Sequence, residues 1–321
     1  MPSGSDTKVF IDRNLRFGAF WRDPCGDLIL FDPRSAERLF KADLTRWNDH
    51  RQQLVHPEDK HYDDDLLCAA YDFSLGGIYV NKDTVQRLTL PLGSYYPRVW
   101  RGIPSKGFME GYVSRAPTVA EHSAKLQSTV AATSLFQELE GLFRYIEPDP
   151  NNAAAYGHKI RELLILACTE VEASWRGVIV ANCSEIKCST LTTRDYVKLL
   201  PLLRLDQWSV RLKNYFSYET ICPFEGWTSD RPTKSLSWYD AYNAVKHDRE
   251  GNFSKASIEH LLQAMAAVHV LQMAQWGPDI YSEIFQSNFS PFRVIKTPTL
   301  SVSDMYVCPP GYKSEAVLYF D

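Results

Sequence analysis

The chain has 321 residues, 45% of them hydrophobic and 23% charged, which is the balance of an ordinary soluble protein long enough for two domains. Its formal net charge of −4 argues against bulk attraction to nucleic acid, so any such contact has to be local. The longest nearly apolar run, around Leu163 to Ala167, falls well short of a membrane span, and the Met1-Pro-Ser-Gly-Ser-Asp start carries no signal-peptide apolar region. A cytoplasmic protein without membrane attachment is expected.

Residues 1–115 read as a mixed, mainly β domain. Lys8–Asp12, Arg16–Trp21 and Asp27–Phe31 are short runs rich in β-branched and aromatic residues, split by Pro24 and Gly26. A helix is expected over Arg34–Arg51, then strands at Gly77–Val80 and Gln86–Leu90.

Residues 116–280 read as a helical bundle. Thr118 followed by Glu121 forms a capping box, and Leu126, Val130, Leu135, Leu139, Leu142 and Ile146 supply an apolar stripe that Pro148 and Pro150 terminate. After the turn Asp149–Asn152 a second helix carries Ile160, Leu163, Leu164, Ala167, Val171, Trp175 and Val178 on one side. The stretch 184–233 is irregular, with a helical piece at Thr193–Leu200 and a strand at Trp208–Leu212. Ser237 with Asp240 three residues on opens a third helix, and Ser254 opens a fourth that carries Ile258, Leu261, Leu262, Met265, Val268 and His269 as far as Gly277-Pro278. Residues 281–321 form a β tail, with Phe292–Ile295, Thr299–Val302 and Ala316–Phe320 as strands that could pair with the N-terminal β segments. The expected fold class is α+β: a β-rich N-terminal domain, a helical bundle and a β-forming C-terminal tail.

The third helix holds the densest group of reactive side chains: Tyr239, Asp240, Tyr242, Asn243, Lys246, His247 and Arg249. Positions four apart share a helix face, so Tyr239, Asn243 and His247 should form one polar stripe with Lys246 and Asp240 beside it. Lys246, His247 and Arg249 also suit a helix end, where cations offset the negative pole of the dipole and Gly251 serves as terminator.

The stretch Tyr242-Asn243-Ala244-Val245-Lys246-His247 resembles the Arg-Asn-x-x-x-His motif of the HEPN superfamily (higher eukaryotes and prokaryotes nucleotide-binding), over a helical region covering 118–277. Asn243 and His247 match the motif, and Tyr242 stands where the motif has Arg. The resemblance implies a bundle of four or five helices, often dimeric through the bundle. It also implies RNA or a nucleotide as partner, no cofactor or metal, and metal-independent RNA cleavage of the kind found in bacterial defence or toxin systems. His247 would be the acid/base on a ribose hydroxyl or leaving oxygen, and Asn243 would hydrogen-bond the phosphate or orient the imidazole. Lys246 or Arg249 would replace the motif Arg in charge, and Glu170, on the second helix, would orient His247 across the bundle. The alternative is a non-catalytic HEPN-like scaffold or binding module.

Three further groups stand out in the sequence. His56, Glu58, Asp59, His61, Asp63, Asp64 and Asp65 offer hard ligands but no recognised metal spacing, as a solvated charge run also would. Tyr95, Tyr96, Arg98, Trp100, Arg101 and Lys106 interleave aromatics with cations, as in single-strand binding or in a strand with aromatics inward and arginines outward. The seven cysteines are odd in number and scattered, so free thiols are expected, with Cys183 and Cys188 close enough for a weak zinc signal.

Overall fold

The computed structural model describes residues 7–11, 17–31, 39–42, 85–101, 118–184, 190–281, 289–309 and 311–320. The strand expected at Gly77–Val80, the His56–Asp65 run, Lys106 and Cys188 lie outside the described residues. The chain divides into two compact units and is an α+β protein. No helix among the described residues is long and apolar enough to cross a membrane.

The first unit comprises residues 1–95, 101–116 and 300–317. Strands β1 (Lys8–Ile11), β2 (Phe17–Arg22), β3 (Leu28–Phe31), β4 (Leu39–Ala42) and β5 (Val85–Arg87) form one antiparallel sheet in the order β4-β3-β2-β1-β5. The β2–β3 turn closes because Asp23 Oδ1 accepts the amides of Cys25 and Asp27 at 2.9 Å each, while Gly26 adopts φ 90°. Gly18 faces Phe10 across β1 and β2, and the Phe10 ring fills the space that a side chain would take. Val9, Phe17, Ala19, Trp21, Ile29 and Phe31 pack with Leu88, Met305 and Val307 into the core of this unit.

Two expectations fail in this unit. Within the helix expected over Arg34–Arg51, residues 39–42 form β4 instead, because the free edge of β3 pairs Leu30 with Phe40 and tertiary pairing overrides local helix preference. The tail forms no strand at Thr299–Val302, and a single helical turn follows at Val302–Asp304. Ala316–Phe320 contributes only β9 (Glu315–Ala316), which pairs in parallel with β6 (Ser94–Tyr95).

The second unit comprises residues 96–100, 117–299 and 318–321. Helix α1 (Val119–Leu142) starts at the expected capping box, with Thr118 Oγ1 accepting the Glu121 amide at 3.2 Å and Glu121 Oε2 accepting the Thr118 amide at 3.0 Å. Its buried face is Thr129, Ala132, Phe136, Leu139 and Leu142; Leu126 and Val130 of the expected stripe are exposed, and the helix ends before Pro148. Helix α2 (His158–Ala181) buries every residue of its expected stripe. Pro201 sits inside a short helix rather than ending one, as the chain makes α3 (Thr193–Tyr196) and α4 (Leu199–Leu203). Strand β7 (Ser209–Leu212) pairs antiparallel with β8 (Phe292–Lys296), so this part of the tail belongs with the helices and not with the N-terminal strands.

Helix α5 (Ser237–His247) begins after Leu236, and Ser237 donates to Gln263 Oε1 at 3.3 Å instead of capping. The chain then enters α6 (Arg249–Asn252), where Asp248 Oδ1 accepts the Gly251 amide at 3.0 Å; Gly251 therefore lies within the next turn and does not terminate α5. Helix α7 (Ile258–Trp276) is capped by Ser257, not Ser254, and ends at Gly277 with φ 95°. It is buried on nearly every side, and its residues 264–275 are all buried.

The directions follow from the contacts. The Ile258 amide donates to Ala155 O at 2.9 Å at the start of α2 and α7, and Arg98 touches both Gly177 and Gln275 near their ends, so these helices run parallel. Helix α1 runs opposite to them, since Ser128 meets Gln272 and Phe136 meets His269. Helix α5 is antiparallel to α2: Tyr239 bonds Glu172, and Val245 O accepts from Arg161.

Candidate functional site

The helix expected to carry the chemistry presents its aromatic face inward. Trp238, Tyr239, Ala241, Tyr242 and Val245 are buried, because large rings gain more from leaving water than their single hydroxyl loses, provided that the hydroxyl finds a partner. Each tyrosine finds one. Tyr239 Oη donates to Glu172 Oε1 at 2.7 Å, and Tyr242 Oη accepts from Lys246 Nζ at 2.8 Å, with the ammonium 4.9 Å above the same ring. Trp175 of α2 packs against Tyr239 and stacks on Trp227 at 5.0 Å, closing the floor beneath them.

The electrostatics follow from this packing. Burial pushes the Tyr239 phenol well up, and the hydrogen bond to the Glu172 carboxylate pushes it further. Burial also raises Tyr242, which Lys246 partly offsets by its hydrogen bond. That same bond raises Lys246, which is therefore an ammonium at neutral pH and no base. Beneath them Cys168 is fully buried and its thiol is pushed up by desolvation, which makes it a poor nucleophile.

The expected stripe of Tyr239, Asn243 and His247 is thus divided. Tyr239 is in the core. Asn243 is half-buried, and its Nδ2 donates to Tyr239 O at 2.9 Å within its own helix. His247 and Arg249 are exposed and form no hydrogen bond or ion pair among the described residues, and Asp240 is half-buried. The carbonyl end of α5 already has a cation, as Arg161 Nη2 donates to Val245 O at 3.1 Å.

Glu170 is not brought to His247. It lies two residues from Glu172, hence on another face of α2, where it senses Arg98 and Tyr281. The α5 end that bears His247 meets α2 at Arg161, nine residues and about 13 Å along the helix from Glu170. The carboxylate that does face α5 is Glu172. Its signal was available, because Cys168, Glu172 and Trp175 at i, i+4 and i+7 share one face with a tryptophan of the buried stripe.

The aromatic and basic run near Tyr95 does not form one strand with outward arginines, since only Ser94–Tyr95 of it is strand. Tyr95 is buried in β6, while Arg98 turns inward with Nε on Gln275 Oε1 at 2.9 Å. Among the described residues no three His, Cys, Asp or Glu side chains are grouped to hold a metal. Cys25, Cys168, Cys183, Cys222 and Cys308 are free thiols.

The chain matches no protein-family model, no curated protein and no solved structure.

Proposed function

We propose that the helical unit is a HEPN-like bundle that serves as a non-cleaving scaffold or binding module, with RNA or a nucleotide-bearing partner as its ligand class. What supports this reading is the Tyr242–Lys246 pair. The position of the motif Arg is occupied by a phenol that is 1% exposed, and the nearest cation is bound to that phenol at 2.8 Å. A guanidinium aimed at a pentavalent phosphate is therefore replaced by an internal contact, and the Asn243 carboxamide is engaged with its own helix. Among the described residues no side chain hydrogen-bonds His247 to fix its tautomer or orientation.

The test compares wild-type protein with His247→Ala on labelled total RNA and tRNA in the presence of chelator, after both are shown to fold alike. Neither protein is expected to cleave above buffer, while both retain RNA binding in a gel-shift titration. Cleavage by the wild type that disappears in His247→Ala overturns this reading.

One observation favours the catalytic alternative. His247 ends α5 and Arg249 opens α6, and both are exposed, so a second copy of the bundle could supply the groups that one chain lacks. In that case cleavage would rise with the square of protein concentration at low concentrations.

A further inference from the structure

The outward face of the β7–β8 sheet carries more positive charge than its folding explains. Val210, Leu212 and Phe292 are buried in the helical core, so the alternation along each strand sends Arg211, Lys213 and Arg293 to the other side. Arg211 stands directly opposite Arg293, and like charges in that arrangement destabilise a sheet. Lys213 follows β7, its amide donating to Pro291 O at 2.8 Å, and Lys296 ends β8 opposite Ser209, about 13 Å away along the strands. Lys213, Arg293 and Lys296 are exposed, and none of the four cations forms an ion pair among the described residues.

An aromatic ring is fixed beside these cations. Arg211 Nε donates to Tyr218 O and its Nη2 to Phe216 O, each at 3.3 Å, which ties the turn after β7 to the sheet. Tyr215 and Tyr218 of that turn pack against the helical core, whereas Phe216 is 65% exposed. The Arg293 guanidinium lies 5.7 Å over the Phe216 ring, so one face of the ring is held by a cation while most of the side chain stays in water.

Protection of the β8 edge, which pairs with no strand but β7 among the described residues, would account for Arg293 and Lys296. It does not account for Arg211, because β7 has β8 on one side and the Val210–Ile221 bridge on the other. Nor does it account for an exposed phenylalanine tethered among cations. In a chain of net charge −4 these groups form a local basic surface with an aromatic platform.

We propose that Arg211, Lys213, Phe216, Arg293 and Lys296 form a binding surface for single-stranded RNA, with the cations along the phosphate backbone and a base stacked on Phe216. The choice of RNA rests on the reading of the helical unit as an RNA-binding module, and the surface adds a location outside α5. The single-stranded form follows from the ring, since stacking needs a base whose π face is free, and a duplex keeps its bases stacked inside. An acidic peptide would use the cations and leave the ring idle. A lipid surface would call for a broader apolar set than Phe216 and Ile295, the large apolar side chains exposed here.

The test is fluorescence anisotropy of a labelled uridine oligonucleotide titrated with the full chain, with unlabelled oligonucleotide, an RNA duplex of the same length, poly-glutamate and phosphatidylserine vesicles as competitors. The oligonucleotide is expected to bind, and each of the other competitors to displace it at least about tenfold less effectively than its unlabelled form. Lys213→Gln and Arg293→Gln should each weaken binding severalfold and reduce the slope of log K against log salt by about 0.7, the share of one single-strand phosphate contact. Phe216→Ala should weaken binding about tenfold and leave that slope unchanged, with all three variants folded by circular dichroism. Binding that survives all three substitutions overturns this surface and leaves the RNA-binding reading intact, whereas a wild type that binds no oligonucleotide overturns both. Displacement by poly-glutamate or by vesicles as effective as by unlabelled oligonucleotide overturns the assignment to RNA in favour of a general polyanion or lipid surface.

Discussion

Lys246 Nζ donates to Tyr242 Oη at 2.8 Å while lying 4.9 Å above the same ring, so one cation satisfies both the hydroxyl and the π face of a side chain that is 1% exposed. The two residues are one helical turn apart, and their pairing lets a tyrosine enter the core without an orphan hydroxyl.

Restoring the motif at this position should therefore fail. Tyr242→Arg places a guanidinium against Cys168 and the aromatic floor, where the nearby Glu172 carboxylate is already engaged by Tyr239, at an expected cost of about 3 kcal/mol or more. Urea unfolding should show the loss, and no RNA cleavage should appear. A Tyr242→Arg protein with wild-type stability and new cleavage would place this residue outside the core.

Tyr239→Phe removes the donor to Glu172. The bond is short and charge-assisted, and Glu172 is half-buried, so a loss of roughly 1–2 kcal/mol is expected. Since Glu172→Gln can still accept from Tyr239, it should cost less than Tyr239→Phe. The reverse order in denaturant titrations would indicate that the carboxylate matters through another partner.

Two groups give the helical unit opposite pH slopes. His269 is fully buried, stacked on Tyr281 with Nδ1 at 2.8 Å from Ser290 Oγ, and burial followed by the Lys213 charge lowers its pKa to about 3. Because the folded value lies below the unfolded 6.5, its stabilisation is complete above pH 6.5 and is lost as the pH falls towards 3, by about 2 kcal/mol at pH 5. Glu170 has the other sign. Its folded value of about 7 exceeds the unfolded one, so its stabilisation is present below about pH 4.5 and is lost as the pH rises through 7. His269→Gln should flatten the acid limb of a stability profile, and Glu170→Gln should exceed wild type at pH 8 but not at pH 4. Between pH 5 and 6.5 the two slopes oppose each other, so the variant decides: an acid limb unchanged in His269→Gln would contradict the His269 assignment.

Gly177→Ala tests whether space or helix propensity dominates. Alanine favours the helix by about 1 kcal/mol, but its Cβ collides with the Arg98 guanidinium. A net loss of stability is expected, and it should turn into a gain in the background Arg98→Gly, which also relieves the positive φ of that residue. Additive effects of the two changes would mean that the guanidinium does not occupy that space.

Much of the architecture was legible from spacing. The α2 stripe from Ile160 to Val178 is buried as read, since seven apolar residues at helical intervals leave one solution. The α1 stripe misled because burial tracks neighbours and not only hydrophobicity. The small side chains Thr129 and Ala132 allow close approach of the adjoining helices, and Leu126 and Val130 are left outside. At the α5 site the helix was legible but not its rotation: i, i+4 spacing groups Tyr239 with His247, whereas the gain from burying the rings splits them. The inward turn of Arg98 had no local signal, because it depends on a backbone angle and on a glycine 79 positions later in the chain.

The division of the chain also bears on how it can be cut. Residues 96–100 leave the β unit to join the helices, with Val99 in the helical core, and residues 318–321 do so again, where the Phe320 amide donates to Asn182 O at 3.1 Å. In return, residues 300–317 carry Met305 and Val307 back to the core of the β unit. No single proteolytic nick therefore releases a complete unit. A fragment that starts at 117 lacks Arg98 and Val99, and one that stops at 116 lacks part of its own interior, so each half depends on the covalent continuity of the other.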